Sequence, residues 1–216
     1  NTVFKRETTM LVKVPQQVKT LEKIPSFGCL DDSPRGRVLR AAAHLFRVNG
    51  YEGTTVREIA SLVGIQSGSL FHHFKSKEEI LFTVMKEVIE YTSTKQNDAI
   101  AQVSSYREKL KALIISELYA INGVTCDAMT VLVFEWGALS RAHQHDLLEL
   151  RTAYENTWVD ILQHLKQETG YVQSAHVWRK FLVGSIAWTV TWFKKDGSLT
   201  LEDLAEQLLL MALGST

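Results

Sequence analysis

Between Ser33 and Ile89 the chain marks four helix starts, each a Ser or Thr ahead of an apolar stripe of helical period; signals this dense leave a compact α-helical domain as the fold for this stretch. Ser33 precedes Pro34, which suits a first helical position. Val38, Leu39, Ala42, Leu45 and Phe46 then form one face, ending at Asn49 and Gly50. Thr55 and Glu58 have capping-box spacing ahead of Val56, Ile59, Ala60 and Val63. Gly64 permits a tight turn. Ser67 is the expected cap of a third helix running through Leu70 to about Phe74, and Ser76 with Glu79 repeats the box before a long fourth helix.

Beyond this region, amphipathic helices are expected near 104–121, 126–140, 144–168, 175–195 and 200–213, broken at Asn122-Gly123, Gly170 and Asp196-Gly197-Ser198. With only 3 Pro and 12 Gly, the chain reads as all-α, with about nine helices. Residues 1–32 lack sustained periodicity and contain Pro15 and Pro25, so they read as a tail, with Met10 as a candidate initiator. A head at 33–78 and a body at 79–216 follow.

The spacing from residue 54 to residue 77 is that of a helix-turn-helix, in which a Gly turn holds the second helix out to enter a major groove. Ile59, Ala60, Val63, Ile65, Leu70 and Phe74 can pack inward, which leaves Gln66, Ser67, Ser69 and His73 facing DNA. Gln reads adenine bidentately and Ser suits several base edges; Phe71 either meets a thymine methyl or joins the core. Thr55, His72, Lys75 and Lys77 suit phosphates, as do Arg35, Arg37 and Arg40 at the start of the first helix.

Charge supports this division. The chain is neutral overall, yet residues 1–75 carry 11 Lys and Arg against 6 Asp and Glu, leaving 13 against 18 for the rest. A basic head can face phosphates while an acidic body stays away. Cys29 and Cys126 are too few and too far apart for a disulfide framework or a Cys-based zinc site, which points to a reducing cytoplasm. The apolar run from Phe181 to Phe193 is too short to span a bilayer, and Lys13, Lys19 and Lys23 break any signal-peptide pattern, so no membrane association is expected. His143 and His145, two apart on a helix, point to different faces, and no Cys or third His lies near them and Asp146 in sequence, so no metal is expected. No nucleophile-elbow or phosphate-loop motif appears; the chain reads as a non-enzyme without a cofactor.

The run RGRVLRAAAHLFRVNGYEGTTVREIASLVGIQSGSLFHHFKSKEEILFTVM, residues 35–85, resembles the DNA-binding domain of the tetracycline-repressor (TetR) family. LFRVNGYEGTTVREIA and GSLFHHFKSKEEIL are its most specific parts. The resemblance implies an all-α homodimer with three N-terminal helices for a double-stranded operator and a divergent C-terminal bundle that holds a small effector. It places phosphate contacts at Thr55, Phe71, His72 and Lys77. Phe71 stands where the family often has Tyr, so the hydroxyl contact is lost there.

The resemblance also implies dimerisation through the last two helices, where Gly184, Ser185 and Ala187 would allow close approach and Leu204, Leu208, Met211 and Ala212 would form a seam. Phe134, Trp136, Trp158 and Trp188 with Arg141 and Arg151 are the candidate lining of an effector pocket. FEWGALSRAHQHDLLELRTAYENTW and WFKKDGSLTLEDLAEQLLLMALG resemble the family branch that regulates fatty-acid and sterol breakdown, which implies an apolar effector such as an acyl-CoA. Alternatives are a helical enzyme or ligand carrier with a vestigial reader, and a protein-interaction bundle that leaves transcription untouched.

Overall fold

The computed structural model describes residues 20–170 and 174–214. Met10 and the start of the expected tail lie outside them. Among the described residues the chain forms nine α-helices, joined by short 3-10 turns, and a lone bridge between Phe27 and Leu30. The head comprises α1 (Pro34–Asn49), α2 (Val56–Val63) and α3 (Ser67–Leu70). The long α4 (Lys77–Ala101) leads into α5 (Tyr106–Asn122), α6 (Cys126–Phe134) and α7 (Arg141–Thr169). The chain closes with α8 (Ala175–Trp188) and α9 (Leu201–Leu213).

Caps explain most helix starts. Ser33 Oγ accepts from the Gly36 amide, and full capping boxes form at Thr55–Glu58, Ser105–Glu108 and Thr200–Asp203. Two expected caps differ. Ser67 is the first residue of α3, with Gln66 at the cap position and no side-chain bond there. At α4 the Ser76 side chain caps Glu79 as expected, but the Glu79 carboxylate reaches back to the Lys75 amide at 2.6 Å, so the box is not closed. The segment expected as one helix over 126–140 stops at Phe134 and continues as a 3-10 turn at Trp136–Ala138.

Residues 20–32, the described part of the expected tail, fold as a strap on the head. Leu21, Ile24, Phe27 and Leu30 are all buried and join the core of the head, and Arg40 on α1 holds Asp32 at 2.8 Å. That core continues through the first half of α4 into α6, so packing runs across residue 78 without a break. A second core joins α5, α7, α8 and α9 around Trp158. α6, although distant in sequence from the head, thus shares the head's apolar cluster.

Candidate nucleic-acid interface and effector cavity

The recognition element is shaped by one turn. Gly64 adopts a left-handed conformation, φ 80°, while its amide and that of Ile65 both return to the Ala60 carbonyl, so the chain leaves α2 sharply. α3 is a single turn whose inner side is Leu70, with Phe74 buried beyond it. Gln66, His72 and His73 are exposed, while Ser67 and Ser69 are half-buried at the same surface. Phe71 is 55% exposed, which removes the core alternative for this ring.

Much of the basic inventory of the head is already engaged. Lys77 does not present a free ammonium to phosphate: its Nζ donates to the Tyr51 and Thr54 carbonyls at 2.9 and 3.0 Å and sits 4.0 Å from the centre of the Tyr51 ring. In this position the side chain holds the α1–α2 loop instead of pointing outward. Arg37 donates from Nη2 to the Val63 carbonyl at 2.8 Å, capping the C-terminus of α2 and tying it to α1. Arg35 lies 3.7 Å from Glu87 and packs over Phe74. Thr55 remains exposed, but its hydroxyl donates to Glu58 at 2.8 Å within the capping box. Arg57, which sequence reasoning passed over, stands exposed on α2, and Lys75 is exposed just before α4. Arg57 was legible as a charge opposite the α2 apolar face.

The body contains a cavity of about 400 Å³ bounded by α4, α5, α6, α7 and α8. Its apolar wall includes Ile89, Met129, Leu132, Val133 and Trp136; Arg151 enters from α7, its guanidinium 5.2 Å from the Trp136 ring centre. Of the six candidate lining residues, Trp136 and Arg151 fall in this wall. The other four do not. Trp158 is fully buried at the centre of the second core, Phe134 and Trp188 turn to the surface at 42% and 46% exposure, and Arg141 is exposed at the first turn of α7. Large aromatics on amphipathic helices serve core and surface as readily as a pocket, and residue type alone does not separate these uses.

The cavity's polar end was not foreseen. Glu117 on α5 is buried, its Oε2 accepting from Gln96 at 2.9 Å and from the Tyr154 hydroxyl. Burial pushes the Glu117 carboxyl above the ordinary carboxylate range, against the opposing bonds from Tyr154 and Gln96 and the pull of Arg179. Arg179 on α8, also buried, pairs with Glu155 at 2.9 Å. A signal existed: Glu117 follows Leu113 and Ile114, and Arg179 precedes Leu182 and Ile186, so each charge stands on an otherwise apolar face.

Head and body are joined at two places that flank the cavity. Asp127, in the first turn of α6, bonds to His44 and Arg47 on α1, while Met129, Leu132 and Val133 further along α6 line the cavity. Beyond Trp136, the Ser140 amide and the His143 ring both bond to Glu78 Oε1 at 2.8 Å, and His143 stacks on Phe82. These contacts run from the cavity to the start of α4. Among the described residues no group of His, Cys, Asp and Glu is arranged to hold a metal, and no single helix is long and apolar enough to cross a membrane.

The sequence profile of bacterial regulatory proteins of the tetR family matches residues 38–84, and that of the tetracyclin repressor-like C-terminal domain matches residues 103–216. The HTH-type transcriptional repressor KstR2 of Mycolicibacterium smegmatis is 32% identical over 185 residues, spanning 84% of this chain and 90% of that protein. Among solved structures, superantigen PfiT is 50% identical with a TM-score of 0.71, over 86% of this chain and 98% of its own. The ketosteroid transcriptional regulator KstR2 of Mycobacterium tuberculosis is 26% identical with a TM-score of 0.75, over 88% and 97%. With an N-terminal helix-turn-helix and both halves matched, the chain belongs to the TetR family of DNA-binding transcriptional regulators.

Proposed function

We propose that the chain is a repressor that binds a pseudo-palindromic operator as a homodimer and is released when a small, largely apolar effector enters the α4–α8 cavity. The observation that carries this reading is the placement of α6, tied to α1 by Asp127 and walling the cavity with Met129, Leu132 and Val133. An effector shifts the equilibrium only if it binds one head arrangement better than the other, and a cavity wall shared with the head's core supplies that difference. The repressor sense is supported by the relationship to the M. smegmatis repressor.

Gln66, Ser67, Ser69, Phe71 and His73 are the proposed base-facing set, with His72, Lys75 and Arg57 toward phosphates. Dimerisation is assigned to α8 and α9, where Phe181 and Met211 are 75% and 78% exposed and Val177, Trp188 and Leu210 are also open. Of the residues expected in the seam, Leu204 and Ala212 are buried within the chain and Met211 stays open. An acyl-CoA is the finer effector reading that the family branch suggests, its apolar body against Trp136 and Leu132.

Selection of bound sequences from random double-stranded DNA, followed by a salt titration on the winner, tests the proposal. The expected result is a pseudo-palindrome with half-sites about one helical turn apart and an affinity that falls steeply with salt. Equally weak binding to every sequence would overturn it. A second reading, protein binding by the exposed helical surface, is supported by the 50% identity to the superantigen PfiT. T-cell proliferation on adding the purified chain tests it; no proliferation would remove it.

A further inference from the structure

Among the described residues of the cavity wall, the charged groups are Glu117, Arg151, Glu155 and Arg179. Glu155 serves both arginines: Oε2 accepts from Arg179 at 2.9 Å and Oε1 accepts from Arg151 at 3.3 Å. The two contacts are unequal. Arg179 is buried and closely held, whereas Arg151 has a long bond, a more open side chain and a guanidinium face resting on Trp136. Glu117 forms no ion pair with either. Its Oε2 takes hydrogen bonds from Gln96 and Tyr154, and burial pushes its carboxyl up against those bonds and the pull of Arg179 and Arg151.

In the cavity wall the Glu155 carboxylate is thus divided between two guanidiniums, and Arg151 holds the weaker share. We propose that the effector is a monoanionic carboxylate on an apolar body, its carboxylate paired with Arg151 and its body lying against Met129, Leu132 and Trp136. The planar guanidinium fork matches a carboxylate bidentately, and Arg151 can exchange its 3.3 Å bond for that pairing while Glu155 stays with Arg179. A neutral alcohol cannot make that bidentate pairing. A CoA thioester has no free carboxylate for Arg151 and brings several phosphate charges instead. The inference rests on the α4–α8 cavity being the effector site, and it puts a free acid in place of the acyl-CoA.

The test uses matched carboxylate, primary alcohol and CoA thioester probes, each on a linear decyl and a decalin body, titrated calorimetrically into the full chain and into Arg151→Gln. The carboxylates are expected to bind about 10- to 100-fold more tightly than the alcohols, as a charge-assisted bond implies. Arg151→Gln should erase that preference and keep the alcohol affinity, which also reports an intact cavity. Alcohols binding as tightly as carboxylates, thioesters binding more tightly than both, or a preference that survives Arg151→Gln would overturn the carboxylate and leave the effector cavity standing. Binding of no probe would overturn both.

Discussion

His44 Nδ1 on α1 and Asp127 Oδ2 on α6 stand 2.9 Å apart, one of the hydrogen bonds that fasten the body to the DNA-binding head. Arg47 Nη1 takes the other Asp127 oxygen at 2.5 Å. Burial pushes the Asp127 carboxyl up, but the bonds from His44 and Arg47 outweigh it and hold the group below the usual range. One carboxylate thus gathers two cation-capable side chains from successive turns of α1.

Asp127→Ala should cost about 1–3 kcal/mol, since His44 is 4% exposed and loses its carboxylate partner. A depressed carboxylate contributes stability that is complete above its unfolded pKa, about 3.9 for Asp, and lost as pH falls through the lower folded value. Urea melts of wild type and variant should therefore differ by a constant amount near neutrality, with the gap closing in acid. A gap as wide in strong acid as at neutrality would contradict the ion pair as its source.

Gly36→Ala is expected to loosen the strap. A methyl group at Gly36 would meet Asp31 Oδ1 at 2.1 Å, the Asp31 amide nitrogen at 2.6 Å and the Cys29 carbonyl at 2.8 Å, and two of these three atoms are backbone. The strap must move, and Leu30, buried at 1% exposure, moves with it. A loss of about 1–3 kcal/mol, typical of overpacking, is expected. Faster proteolytic cleavage within 20–32 should accompany it; unchanged cleavage and stability would show that the strap adapts at no cost.

The head was legible because its helices announce themselves locally: Ser33, Thr55 and Ser76 cap as their sequence spacing requires, and Gly64 turns where its residue type permits. The strap was not, although Leu21, Ile24, Phe27 and Leu30 recur every third residue, because Pro25 and Gly28 break any helix through them. That spacing suits turns, which bury one side chain per turn without a sustained helix. The cavity was half legible. Trp136 and Arg151 were selected by residue type, while Glu117 and Arg179 escaped because their meaning lies in burial, which only the packing of α5 against α7 and α8 decides.

Lys77 and Gln66 should separate cleanly by experiment. Lys77→Ala strips a donor from the Tyr51 and Thr54 carbonyls and should lower stability by about 1–3 kcal/mol, with the salt dependence of operator binding unchanged. Gln66→Ala should leave stability alone, since the side chain is exposed and makes no capping bond. It should weaken the best operator by about 1–3 kcal/mol and relax sequence choice at one position. A salt slope reduced by about one in Lys77→Ala would return that ammonium to phosphate.

Glu117→Gln should stabilise the protein at neutral and alkaline pH. Burial raises the Glu117 carboxyl in the folded state, so folding favours its protonated form and the wild type loses stability as pH climbs from the ordinary carboxylate range through the folded value. Glutamine keeps the shape and can still accept from Gln96 and Tyr154, and it has no proton to lose. Thermal melts should show the variant above wild type at about pH 8, with the difference shrinking toward about pH 4, where the wild-type acid is neutral in both states. A variant less stable than wild type by the same margin at both ends would mean that folding does not raise the Glu117 carboxyl.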